Sequence, residues 1–334
     1  MKGQFTMLFY GTSLDGLQMG LCFAVLALGL YISYSILDFP DLSVDGIFPF
    51  GGVVSTVLML RLGIPPIGAV LVSFIAGAAA GAVTGILHVK CRISKLLSGI
   101  IVMTAFLSVN LALTKLLTHG GYTTTIFSYK SEGLEDLFHG KFVSGFDRGV
   151  REYVIIAIFF VFVIASKLLI DLFFKTKFGY MLRATGDNER LVTSLGRDPG
   201  NYKIAGLAIA DGFVAVSGAL YSQLYASYDN NSGSGKVVLA LASVIIGMAL
   251  FSGAKHIKST SAVIFGAVIY SLCLNYLVLV DREGIYLKLL NAALFALILI
   301  FNDKLSLIRQ RLQRRTSAEP DGSGAVNEEV IRDA

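Results

Sequence analysis

The stretch FPDLSVDGIFPFGG, Phe39 to Gly52, sets Asp41 and Asp45, two prolines and three glycines between apolar segments, with Asp38 just ahead. A carboxylate in such a place can cap a helix start, and all three acids would also be comfortable in water. Ser43 or Asp45 is placed to cap a helix whose first turn takes Pro49, since an N–H given up there has no partner anyway. The positive end of that helix would suit a solute carboxylate. Irregular backbone survives at membrane depth only where protein or enclosed water pairs its N–H and C=O groups. Ser43, Asp45, Gly46, Phe48 and Pro49 are therefore candidates to line a path, and the competing reading is an ordinary turn in water. Asp211 is the other carboxylate that draws notice. It lies near the middle of an apolar run with no basic residue close by, and an ionisable group there is a functional candidate by default. Its plain alternative is a hydrogen-bonded tie between helices. Among the few polar residues of the long runs, Gln18, Asn110, Asn275 and Asn291, only Asn110 ranks as a path group; the others suit interhelical hydrogen bonds.

Other chemistries find no support. NNSGSGKV, Asn230 to Val237, lacks the first glycine and the Ser/Thr after lysine that a phosphate-binding loop needs. No nucleophile, base and orienting group stand at a readable spacing, so an intramembrane enzyme is not expected. Cys22, Cys91 and Cys273 form no C-x-x-C pair and the four histidines are scattered, which gives neither a metal site nor a disulfide frame.

The elements that must hold these residues are membrane helices. Hydrophobic residues make up 54% of the 334 and charged residues only 15%, with a mean hydropathy of +0.70. A crossing takes about 20 apolar residues. Runs of that kind fall near 14–37, 65–87, 93–117, 151–172, 202–225, 260–280 and 286–302, and shorter glycine-bearing runs near 46–60 and 237–252 bring the count to nine. The first run is too long for a signal peptide and has no A-x-A site to close it. An all-α polytopic bundle is expected over residues 1–302, rather than a barrel. Loops 88–95, 173–203, 253–260 and 303–315 hold sixteen Lys and Arg between them. If the runs alternate, these loops share one side, which the positive-inside rule makes cytoplasmic; the N-terminus is then outside and the C-terminus inside. The net charge of +5 is thus a matter of loops facing the inner surface, not of a nucleic-acid partner. Residues 303–334 read as a basic amphipathic segment that suits membrane lipid, followed by a disordered tail.

The two short runs match one another. DLSVDGIFPFGGVVSTVLML follows the first long run, DNNSGSGKVVLALASVIIGMAL follows the sixth, and each is followed by a full-length run. The second set comes five crossings after the first, so corresponding helices point in opposite directions. That is the mark of an inverted repeat with its site at the broken pair, which adds Asn231 and Ser232 to the path candidates. Loop 173–203 contains DNERLVTSLG, a short helix capped by Asp187 or Asn188 and stopped by Gly196, with Leu191, Val192 and Leu195 to bury. That is enough for a groove in a protein partner and too little for a lipid anchor.

LDFPDLSVDGIFPFGG, SKLLSGIIVMTAFLSVNL, MLRATGDNERLVTSLG and GLAIADGFVAVSGAL occur in this order. Together they resemble the permease subunits of bacterial ATP-binding cassette (ABC) importers of the branched-chain amino acid and ribose type, and among these the subgroup associated with aromatic amino acids. The resemblance covers about residues 12–302. It implies an inner-membrane permease working as a homodimer or paired with a second permease, cytosolic cassette ATPases that bind the ATP, an extracytoplasmic substrate-binding protein, and no cofactor on the permease itself. It also implies that the loop carrying Gly186, Asp187, Asn188, Glu189, Arg190, Leu191, Leu195 and Gly196 is the coupling helix seated on the ATPase. The coupling signature E-A-A-x-x-x-G of such importers is reduced here to RLVTSLG, in which only Gly196 matches well. The expected function is alternating-access import of a small polar solute, an amino acid by the subgroup. The rival is an ion- or proton-coupled carrier using Asp211, and a channel comes third.

Overall fold

The computed structural model describes residues 2–117, 125–126, 138, 145, 148–251, 257–280, 286 and 289–300. Segment 303–334 and most of the loop between 117 and 148 lie outside the described residues. The helices are α1 (Lys2–Leu30), which continues as a π-helical segment (Tyr31–Ile36), α2 (Val44–Leu62), α3 (Pro66–Val89), α4 (Lys95–Lys115), α5 (Arg148–Phe173), α6 (Lys177–Asp187), α7 (Glu189–Ser194), α8 (Pro199–Tyr225), α9 (Lys236–Phe251), α10 (Ser259–Val280) and α11 (Leu289–Ile300). A two-residue antiparallel pair, β1 (Thr125–Ile126) with β2 (Tyr228–Asp229), is the sheet among the described residues.

Within the described residues eight helices are long and apolar enough to cross a membrane. The described residues of the ninth run form a helix over Leu289–Ile300, which by itself is shorter than a crossing. Local signals place several helix starts. Ser94 Oγ accepts from Leu97 N at 3.3 Å, Thr176 Oγ1 from Gly179 N at 3.1 Å, and Asp198 Oδ1 from Gly200 N at 2.9 Å, with Pro199 opening α8. α2 ends at Gly63, whose φ of 60° few other residues adopt readily.

Small residues let the helices close on one another, because in lipid close packing must do much of what the hydrophobic effect does in water. A Cβ on Gly81 of α3 would stand 2.7 Å from Asp211 Cβ on α8, and one on Gly85 2.7 Å from Ile204 Cα. On the other side of the bundle a Cβ on Gly20 of α1 would lie 2.9 Å from Val268 Cα on α10. These two contacts correspond: α3 packs on α8 as α10 packs on α1, and α2 lies by α3 as α9 lies by α10. Exchanging the halves exchanges the contacts, which is the packing expected of inverted repeats. α1 and α8 are the most enclosed helices, whereas α4 and α5 turn side chains such as Ile101 and Phe160 outward, as lipid-facing helices do.

The basic connections gather at one end. Phe39 meets His88 edge-on at 5.3 Å, Lys95 Nζ pairs with Asp38 Oδ2 at 3.1 Å, and Lys258 Nζ pairs with Asp171 Oδ2 at 2.9 Å. From that end the chain re-enters the bundle through the non-helical residues 37–43, which turn at Leu37 and Ser43 and take a φ of 50° at Asp38.

α2 departs from the expected capping. It begins at Val44, so Pro49 is its sixth residue and not in the first turn. Proline there removes the N–H that would bond the carbonyl of Asp45. Gly233 fills the notch, with no room for a Cβ between it, Asp45 O and Pro49 Cδ. Ser43 is the N-cap residue by position, but its side chain caps nothing.

Candidate functional site

Three groups of residues converge where α2 begins. In the first, Asp45 caps a different helix from the expected one: its Oδ1 accepts from Val237 N at 2.9 Å and its Oδ2 from Gly235 N at 3.1 Å. These are orphan N–H groups at the start of α9, and a carboxylate satisfies them while opposing the helix dipole. The entries to the two broken helices thus meet. Asn110 of α4 steadies the arrangement from the side, its Nδ2 donating to Gly46 O at 3.1 Å.

The second group is buried and acidic. Asp41 is 1% exposed, and Ser43 and Asp211 are fully buried. Ser43 N donates to Asp41 Oδ1 at 2.9 Å and Ser43 Oγ donates to Asp211 Oδ2 at 3.3 Å, so one serine bridges both acids. Asp41 Oδ2 and Asp211 Oδ1 have no hydrogen-bond partner in the structure. Burial pushes the Asp41 carboxyl above the usual carboxylate range, and hydrogen bonds from Ser43 only partly offset this. Asp41 therefore does not lie in open water, as an ordinary turn would have it, whereas Asp38 is exposed and pairs with Lys95.

In the third group Lys236 Nζ lies over the rings of Phe23 at 4.1 Å, Tyr221 at 5.1 Å and Phe48 at 5.2 Å. Ring faces hold a cation without neutralising it. No carboxylate described comes within ion-pair distance of this ammonium. Of the remaining path candidates, Asn231 is exposed and Ser232 half-buried in the 3-10 turn before α9, while the neighbouring Asn230 is the buried one and accepts from Tyr228 OH at 3.2 Å.

Loop 173–203 holds two helices where a single short one is expected. α7 is the expected one: Asn188 Oδ1 accepts from Arg190 N at 3.1 Å and Leu191 N at 3.3 Å, so Asn188 is the cap, while Asp187 closes α6. Gly196 takes a φ of 70° just beyond it. Val192 is fully buried, whereas Leu191 and Leu195 are 50% and 61% exposed, so α7 holds on by one apolar side chain and presents two. Glu189 pairs with Lys203 at the base of α8, and Arg190 is exposed. α6 carries Gly186 onto the carbonyl of Ile36 and to within 3.1 Å of Leu37 Cα for a Cβ placed there. The exposed α7 is thereby connected through α6 to the root of the re-entrant stretch.

Sequence reasoning passed over α6, Lys236 and the rings of Phe23 and Tyr221, and it named Asp41 without making it a site candidate. For α6 a signal existed: Thr176 as cap, with Gly179, Leu182 and Thr185 buried at three-residue spacing. For Lys236 there was little, because a lysine at the edge of an apolar run reads as one that reaches for water.

Comparison with known proteins places the chain in a family. Residues 13–302 match the family model described as branched-chain amino acid transport system, permease component. The chain is 40% identical over 272 residues to the tyrosine transport system permease protein of Clostridioides difficile, covering 81% of this chain and 85% of that one. It is 26% identical over 265 residues to the ribose import permease protein RbsC of Escherichia coli, covering 79% and 77%. It is 28% identical over 197 residues to the probable branched-chain amino acid transport permease protein LivH of Methanocaldococcus jannaschii, covering 59% and 61%. No solved structure matches.

Proposed function

The chain belongs to the branched-chain amino acid transport system permease family, and from that premise we propose that it is the membrane subunit of an ABC importer that carries an amino acid inward. Cytosolic cassette ATPases supply the energy, an extracytoplasmic binding protein delivers the solute, and a second permease copy completes the complex. α7 lies on the cytoplasmic side of the bacterial inner membrane, with the N-terminus outside. The observation that carries this reading is the connection from α7 to the site: Leu191 and Leu195 face outward, and Gly186 of α6 bears on Ile36 and Leu37, from which residues 38–45 lead to Asp211 and α9. A cassette that binds one conformation better than the other can move that lever, and no more than that difference in affinity is needed.

The buried Asp41 and Asp211 favour a second reading, a proton-coupled carrier that takes up and releases a proton at this pair. One experiment separates the two. The permease is co-expressed with cassette ATPase and binding-protein subunits of this importer family from the same genome, purified through a tag on the permease, and reconstituted in vesicles. The importer reading expects the ATPase to co-purify and uptake to require ATP; uptake driven by an imposed pH gradient without ATP would replace it with the carrier.

A further inference from the structure

A cavity of about 340 Å³ lies among α1, α9, α10 and α11, inside the range of roughly 300–1,000 Å³ usual for small-molecule sites. Its walls are largely apolar, with Met19, Phe23, Leu239, Leu274 and Val278. Its polar lining is Ser234, Lys236, Ser271, Asn275 and Asn291. Lys236 enters it with no acid described at ion-pair distance. Ser271, 1% exposed, brings a hydroxyl that has no hydrogen-bond partner in the structure. Asn275 and Asn291 also line it. A buried hydroxyl left unpaired costs about 1–3 kcal/mol, and Asp45, the carboxylate that bears on the ammonium, stands beyond ion-pair distance and gives both its oxygens to backbone N–H groups. Both needs are met by one ligand group, a carboxylate.

The geometry points to this cavity as the binding site for the α-carboxylate of an amino acid with an apolar or aromatic side chain. Lys236 pairs with the carboxylate at the α9 entry, Ser271 donates to it, and Met19, Phe23, Leu239 and Leu274 enclose the side chain. This deepens the importer reading and rests on it for the direction of transport, though not for binding. Access is legible as well. A second cavity, of about 530 Å³, is lined by Asp15, Gln18, Arg151 and Glu152 at the opposite end of the bundle from the basic loops. Met19 and Asn275 line both cavities, and Asn275 Nδ2 approaches Met19 Sδ at 3.7 Å. That contact forms the partition between the polar mouth and the apolar chamber. Asp45, which holds the start of α9 through Gly235 and Val237, fixes where Lys236 stands.

The test uses the full-length permease in complex with its cassette subunits, titrated with tritiated L-leucine, L-phenylalanine and L-tyrosine. At least one should bind, and its decarboxylated counterpart (isopentylamine, phenethylamine or tyramine) in large excess should not displace it. Lys236→Gln should weaken binding about 10-fold or more and Lys236→Arg much less, as expected for loss or retention of a charged hydrogen bond. Ser271→Ala should weaken binding several-fold. Binding of none of the three, displacement by the amine as effective as by the amino acid, or unchanged binding to a well-folded Lys236→Gln complex would each overturn the proposal. The amine competition is read on the wild-type protein, so it decides even if the variants fold poorly. Amino-acid binding by a permease that recruits no cassette would count against the importer and uphold the site.

Discussion

Asp45 Oδ1 accepts the backbone N–H of Val237 at 2.9 Å across 192 positions of sequence, so the first residues of one broken helix cap the other. With Gly235 bonded to the second oxygen, one side chain ties the entries of the two broken helices together.

Asp45→Leu should therefore unseat the start of α9 and lower uptake at least tenfold, with a stability loss of about 1–2 kcal/mol for the missing cap. Asp45→Ser, which can still accept one bond, should fall between. Uptake into vesicles and thermal unfolding of the purified protein check both, and wild-type behaviour of Asp45→Leu would return α2 to the status of a plain helix start.

Asp41 gives a pH dependence with a definite sign. Its carboxyl is pushed above the ordinary range by burial, so the folded state binds its proton more tightly than the unfolded chain. The resulting stability is fully present below the unfolded pKa and is lost as pH rises through the folded one. Asp41→Asn keeps an oxygen for Ser43 N and never ionises, so raising the pH from 5 to 8 should lower its melting temperature less than that of the wild type. Equal falls in both proteins would remove Asp41 as the source.

Gly196 carries a φ of 70° and has open space where a Cβ would stand. Gly196→Trp should cost about 1–3 kcal/mol in local backbone strain without disturbing the apolar bundle, and the indole would stand beside exposed Leu195. Membrane insertion should be normal, cassette co-purification reduced and uptake nearly lost even with saturating binding protein. Unchanged cassette binding together with wild-type uptake would make this segment an ordinary surface loop.

Orientation has a native reporter. Cys91 is exposed within the basic turn 88–95, while Cys22 is buried and Cys273 lies on α10. In a protein lacking Cys22 and Cys273, an impermeant maleimide should label Cys91 only after cells are permeabilised. In a cysteine-free protein, Arg61→Cys, exposed at the other end of α2, should label in intact cells. The reverse pattern would turn the protein over and detach α7 from any cytosolic ATPase.

What the sequence alone determined was governed by local or additive physics. Transfer of apolar runs into hydrocarbon depends on composition over some twenty residues, and the eight crossing helices of the structure start and end within a few residues of those runs. The α7 cap at Asn188 and its stop at Gly196 use neighbours two to five residues away. Asp211 was recognisable because nothing near it in sequence could balance a charge at that depth. The odd spacing of the two broken runs even foretold that they belong together. Only the tertiary structure decided what the polar groups do once there. Ser43 had the right spacing to cap α2 and instead gives its hydroxyl to Asp211, 168 positions away. Asp45 lies in the first turn of α2 and caps α9. Pro49 moved into the second turn because α2 starts at Val44, and Gly233 closes over the carbonyl that the proline leaves free. Such choices are settled by which helices the small residues of α1, α2, α3 and α8 allow into contact, and a hydrogen-bonding group goes to whichever partner the packing brings within reach.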